Sequence, residues 1–145
     1  MKSLIIAVAA VLSLSACSNY GKKVKSGSIE VYYKDGVGEE EAKKTADLFD
    51  RAVRDANAES SGRKSFQLTK VNDTVQLKMV ADKEKLAKID GDASLYAILY
   101  LVSDSIFSGA PVNLVLTDKK FEGFKTMAYI KKTPLSDYGT RYTSG

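Results

Sequence analysis

The sequence predicts an α+β fold in the order β-α-β-β-α-β-β. It would be a five-stranded, mainly antiparallel sheet with two helices on one face. Three observations carry this reading. Short runs alternate apolar and polar residues with period two, as half-buried strands do. Two longer segments repeat their apolar residues every three or four positions, as amphipathic helices do. Turn-forming residues separate them, and one apolar face per helix suits helices laid on an antiparallel sheet.

Ser28 to Tyr33 alternates, with Ile29, Val31 and Tyr33 on one side, and Asp35-Gly36 ends it. Glu39 to Ala56 has helical spacing, with Ala42, Ala46, Phe49, Val53 and Ala56 on one face. Glu39, Glu40 and Glu41 fall in its first turn, where the helix dipole favours anions. After a loop from Ala58 to Gly62, Ser65 to Val71 and Thr74 to Val80 read as a hairpin around Asn72-Asp73. Ala81 to Ile89 is charged and suits a short helix. Asp92 suits the N-cap of a helix from Ala93 to Phe107, with Leu95, Ile98, Leu99, Val102 and Ile106 facing the core. Gly109 fits the residue after the helix end, and Pro111 lies just beyond. Val112 to Thr117 is an apolar strand. A turn at Asp118 to Lys120 leads to a last strand, roughly Phe124 to Ile130. An internal echo supports the order. After each long helix comes Ser-Gly, then a strand ending Leu-Thr, at Ser61 to Thr69 and at Ser108 to Thr117.

The start of the chain has a different character. Lys2 precedes an apolar run from Leu4 to Leu14, about the length of a signal-peptide core and too short to span a bilayer. Leu14-Ser15-Ala16-Cys17 follows and resembles the lipobox of bacterial lipoproteins. That resemblance implies cleavage between Ala16 and Cys17 and lipid on the Cys17 thiol, a diacylglycerol-type, palmitate-containing anchor. Ser18-Asn19 in place of an aspartate after the cysteine implies the periplasmic face of the outer membrane. An organism that sorts differently would keep it at the inner or cell membrane. Cys17 is the only cysteine, so no intramolecular disulfide forms. The expected organisation is a signal peptide at 1–16, a lipidated tether at 17–27, one domain at 28–132 and a flexible tail at 133–145. Lys22, Lys23 and Lys25 in the tether suit either plain solvation or contact with anionic headgroups.

The body also resembles a small α+β module that recurs in bacterial proteins. Val31-Tyr32-Tyr33, Gly36-Val37, Glu40-Glu41-Ala42 and Phe107-Ser108-Gly109-Ala110-Pro111-Val112 carry the likeness. It brings no activity with it.

Composition narrows the chemistry. The 145 residues carry a net charge of +4, with no histidine and no tryptophan. With Cys17 committed to lipid, Cys–His and Ser–His–Asp catalysis have no residues, and neither do His- or Cys-based zinc sites. No metal or cofactor is expected. Asp82, Asp90 and Asp92 lack the spacing of a calcium loop. Gly36-Val37-Gly38 is followed by three glutamates, which would repel phosphate. Ser61-Gly62-Arg63-Lys64 has Ser-x-x-Lys spacing but lies in a loop. The remaining acids are read as gathering at helix starts and loops, with none alone in an apolar strand. Charges of both signs interleave without a dense basic stripe, which argues against nucleic acid.

These points favour a non-catalytic binding or accessory module of the cell envelope. An immunity-type inhibitor of an exported hydrolase is the alternative, and a cell-envelope hydrolase comes third. The candidate partner surface is the aromatic flank of the second helix, Tyr96, Tyr100 and Phe107, with Ser103 among them. Aromatics beside a core either widen it or bind a partner, here another protein or a second copy of the chain.

Overall fold

A computed structural model of the chain describes residues 19–58, 62–88 and 91–131. The signal region with Ala16, Cys17 and the tail from 132 onward lie outside them. The α+β class holds. Among the described residues six strands form one mixed sheet, β1 (Lys22–Ser26), β2 (Ile29–Tyr33), β3 (Lys64–Val71), β4 (Thr74–Val80), β5 (Val112–Thr117) and β6 (Gly123–Met127). They lie side by side in chain order. Two long helices, α1 (Glu39–Asp55) and α3 (Ala93–Ile106), cover one face, and α2 (Lys83–Leu86) is a single turn between them.

The sheet departs from expectation in two ways. First, Lys22–Ser26, expected as tether, is the edge strand β1, paired antiparallel with β2. Its Lys-Lys-Val-Lys-Ser sequence has one apolar residue, so alternation is hard to read. Lysines are the residues that keep an exposed edge from recruiting another strand. Second, β2 pairs parallel with β3, and β4 parallel with β5. The sheet is therefore mixed, with β1–β2, β3–β4 and β5–β6 as antiparallel hairpins. The echo in the sequence is a repeat of a hairpin followed by a helix, and it ends on a third hairpin.

Register fixes the core. Val31 pairs with Phe66 and Phe66 with Met79, while Leu68 pairs with Leu77, Leu77 with Leu114 and Leu114 with Met127. These side chains point to one face, and Leu68, Leu77 and Leu114 are fully buried. From α1, Phe49 stacks on Phe66 at 4.4 Å between ring centroids. From α3, Leu99 and Val102 close the other half of the same core.

Both helices thus sit on one face, and both crossovers step toward the β6 edge. Yet β2 and β3 run opposite to β4 and β5. A half-turn about the sheet normal superposes the strand directions and reverses the step. The two crossovers therefore have opposite hands, and one is left-handed, a sense found in roughly 2 % of parallel connections.

Local chemistry sets the boundaries. The Glu41 carboxylate accepts a hydrogen bond from the Gly38 N–H at 3.1 Å and closes the start of α1. Asp92 takes the N-cap position of α3, but its carboxylate pairs with Lys125 at 2.8 Å instead of capping. Ser103 Oγ donates to the Ala110 carbonyl at 2.6 Å, and the Gly109 N–H donates to the Ser103 carbonyl at 2.8 Å, so α3 is tied to β5. At the β1–β2 turn Gly27 has φ +56°, and a Cβ there would collide with the Asp50 carboxylate of α1.

Leu77 stands at the centre of the covered face. Leu77→Ala is expected to cost about 2–5 kcal/mol through lost burial and a cavity, read as a lower urea midpoint.

Candidate functional site

Among the described residues no helix covers the face of the sheet turned away from α1 and α3, yet much of it is buried. Glu30, Gln67, Thr69 and Thr117 point there and are each less than a tenth exposed. Two short segments shield them. Tyr20, just before β1, folds over the face, and its carbonyl accepts from Gln67 Nε2 at 3.0 Å. From the far side, the loop between β5 and β6 carries Phe121 inward. The Phe121 ring meets Tyr20 at 5.4 Å and Tyr32 at 5.6 Å, both edge-to-face. Tyr20 meets Tyr32 at 5.9 Å.

Phe121 adopts φ +59°, a backbone region that costs an aromatic residue about 1–2 kcal/mol. Hydrogen bonds within the loop hold it there. Asp118 Oδ1 accepts from the Lys120 and Glu122 N–H groups at 2.8 and 3.0 Å. The Phe121 N–H donates to the Asp118 carbonyl at 3.1 Å. The strain is repaid by burial of the ring, which is 7 % exposed.

Beside this cluster opens a cleft of about 360 Å³. Tyr20, Tyr32, Phe121 and Val80 line its apolar part, and Arg63, Lys64, Lys119 and Ser65 its polar part. Glu30 contacts two of these lining residues, Arg63 and Ser65. The expectation that no acid stands alone in an apolar strand is corrected here: Glu30 is buried in β2 between Ile29 and Val31. Lys23, Lys25 and Arg63 approach its Oε1 at 3.5, 3.5 and 3.6 Å, and Ser65 Oγ donates to its Oε2 at 3.4 Å. Burial alone would raise its pKa. Lys23, Arg63 and Lys25 together outweigh burial and hold the carboxyl below its ordinary range. An ionised carboxylate so surrounded is a weak base toward the Ser65 hydroxyl. The cleft sets cations beside rings. Its cations attract anions, and its rings offer apolar contact and cation–π contact, as Lys23 already makes over Tyr32 at 5.5 Å.

The sequence-predicted flank lies on the opposite side of the sheet. Tyr96, Tyr100 and Phe107 are half-buried and pack against the core, and Ser103 is fully buried. Tyr96 stacks on Tyr100 at 6.4 Å, and Tyr100 packs on Tyr129 at 5.4 Å. The Tyr100 hydroxyl donates to the Ile130 carbonyl at 2.6 Å. The chain after β6 thus covers part of the flank. A second groove of about 310 Å³ runs between α1 and α3, with Asp47 set between Lys44 and Arg51 beside Leu48 and Ile106. Its charges are mixed, and it gathers fewer rings and cations than the cleft.

No described group of three or more Asp, Glu, His or Cys residues could hold a metal. No described helix is long and apolar enough to cross a membrane.

Sequence reasoning missed the cleft because its parts come from a turn, a presumed tether and the start of a strand. One signal was present, an aromatic residue, Phe121, inside an otherwise charged turn.

Residues 23–128 match AF_1994_N, described as a family N-terminal domain. The match takes in all six strands and all three helices apart from the first residue of β1, and the chain belongs to this family. No curated protein and no solved structure matches the chain.

Two outcomes follow from the site. Because the folded state lowers the Glu30 pKa, its stabilisation is fully present above the unfolded glutamate value. It disappears as pH falls through the folded one. Glu30→Gln is expected to lose about 1–2 kcal/mol at neutral pH, and the gap to the parent should close on acidification below the glutamate range, by urea unfolding at each pH. Tyr100→Phe removes one hydrogen bond and should lower stability by about 1 kcal/mol in the same assay.

Proposed function

We propose that this chain is a lipid-anchored, non-catalytic binding module of the bacterial cell envelope, held by Cys17 on the periplasmic face of the outer membrane. Its working site is the cleft on the open sheet face, which takes an anionic group. One observation carries the reading. Arg63, Lys64 and Lys119 meet three aromatic rings around the cleft, and the buried carboxylate that contacts Arg63 and Ser65, Glu30, is held ionised by cations. Such a site attracts an anion and lacks an activated nucleophile, which favours binding over hydrolysis. The lipobox Leu14-Ser15-Ala16-Cys17 supports the anchor and the compartment. Accessory proteins of the envelope and inhibitors of exported enzymes both work by binding, and the cleft serves either.

Isothermal titration of the lipidated protein in detergent with pyrophosphate tests the cleft. Saturable binding is expected, weakened roughly tenfold or more by Arg63→Ala with Lys119→Ala, since each charge-assisted contact is worth about 1.5–3 kcal/mol. Binding that the double variant leaves intact would place the site elsewhere. Intact mass of the Cys17 peptide tests the anchor separately, and an unmodified thiol would remove it.

A further inference from the structure

The cleft and its face point to a specific anion, and the inference rests on the anchor proposed above. We infer that the open face docks flat on anionic phospholipid headgroups of the membrane that carries the anchor, leaving the helical layer turned outward.

Three observations converge. The first is reach. Cys17 precedes Tyr20 by three residues, and Tyr20 is itself part of the open face, packed on Tyr32 and Phe121. Three residues span at most about 10 Å, so lipid on Cys17 holds this face within a headgroup layer's thickness of the bilayer. The second is charge. Among strand residues directed away from the helices, Lys23, Lys25 and Lys78 stand against Glu30 as the only carboxylate. Arg63 and Lys119 add to them at the cleft rim. On the other side, the outer helix α1 carries six carboxylates against four cations. An anionic surface attracts the first side and repels α1, which orients the molecule as well as holding it. The third is shape. The cleft is open and lined by rings beside cations, a combination suited to the boundary between headgroup phosphates and glycerol backbones.

Lysine footprinting tests this on the natural protein. The lipidated chain is reconstituted in vesicles of phosphatidylglycerol with phosphatidylethanolamine, or of phosphatidylcholine alone. Lysines are then acetylated and quantified by mass spectrometry. Lys23, Lys25 and Lys119 are expected to react about fivefold more slowly on the anionic vesicles, with Lys43 and Lys44 of α1 unchanged. High salt should abolish the difference. Equal rates on both vesicles, or protection of Lys43 and Lys44 instead, would overturn the inference. The Cys17 mass is read in the same sample. An unmodified thiol with the three lysines still protected removes the anchor and keeps the face. Lipid on Cys17 without protection removes the face and keeps the anchor.

Discussion

Everything on the open face follows from a shortage of cover. A six-stranded sheet has two faces to shield from water, and the chain spends both long helices on one. Unpaired backbone at the sheet edges and apolar side chains on the bare face would otherwise invite association. The chain answers with polar side chains at the face and with two short segments that lean over it. Tyr20 comes from one side and Phe121 from the other, and their rings meet over Tyr32. Because they cover only part of the face, a cleft remains beside them. The left-handed φ of Phe121 is a cost of this arrangement, tolerated because Asp118 fixes the loop on either side.

Glu30 gives that face its electrical character. A carboxylate in the middle of a strand, flanked by Ile29 and Val31, must be compensated or neutralised. Here Lys23 and Lys25 of β1 and Arg63 before β3 gather around it. One negative charge draws in three positive ones, and the surplus stays at the surface. The cations are each more than a third exposed, so the attraction is softened by water and remains open to other anions. The edge strand benefits as well. Lysines that would repel one another along β1 share a counter-charge from its neighbour, which helps explain how so polar a segment forms a strand.

Local periodicity made most elements legible in the sequence. The hairpin at Asn72-Asp73, the start of α1, the start of α3 and the limits of β5 all coincide with their residue patterns, because each depends on neighbours within a few positions. Three features escaped for physical reasons. β1 carries one apolar residue, and its pairing depends on β2 and on Glu30. The parallel pairs need strands brought together across a helix, which no local pattern encodes, and one crossover takes the disfavoured hand. The cleft joins residues 20, 32, 63 and 121, whose meeting is decided by the sheet. The aromatic flank was visible as a stripe on α3, but the stripe could not show that Tyr129 and Ile130 come back to cover it.

The N-terminal boundary changes meaning once Tyr20 is seen as part of the fold. Were residues 17–27 a free tether, lipid on Cys17 would leave the domain at an arbitrary orientation, some tens of ångströms from the bilayer. With β1 in the sheet and Tyr20 seated on Tyr32 and Phe121, only Ser18 and Asn19 separate that thiol from packed structure. Anchoring at such a point would couple the membrane to the fold, since the residue that closes the open face also sets its distance from the lipid. The same coupling would run in reverse. Pulling the N-terminus away from the domain would draw Tyr20 out of its cluster, uncover Gln67 and loosen the support of Phe121. With Cys17 lipidated, the cleft would be complete only while the chain just beyond it stayed seated, and where the protein is held and what it can hold would be one property.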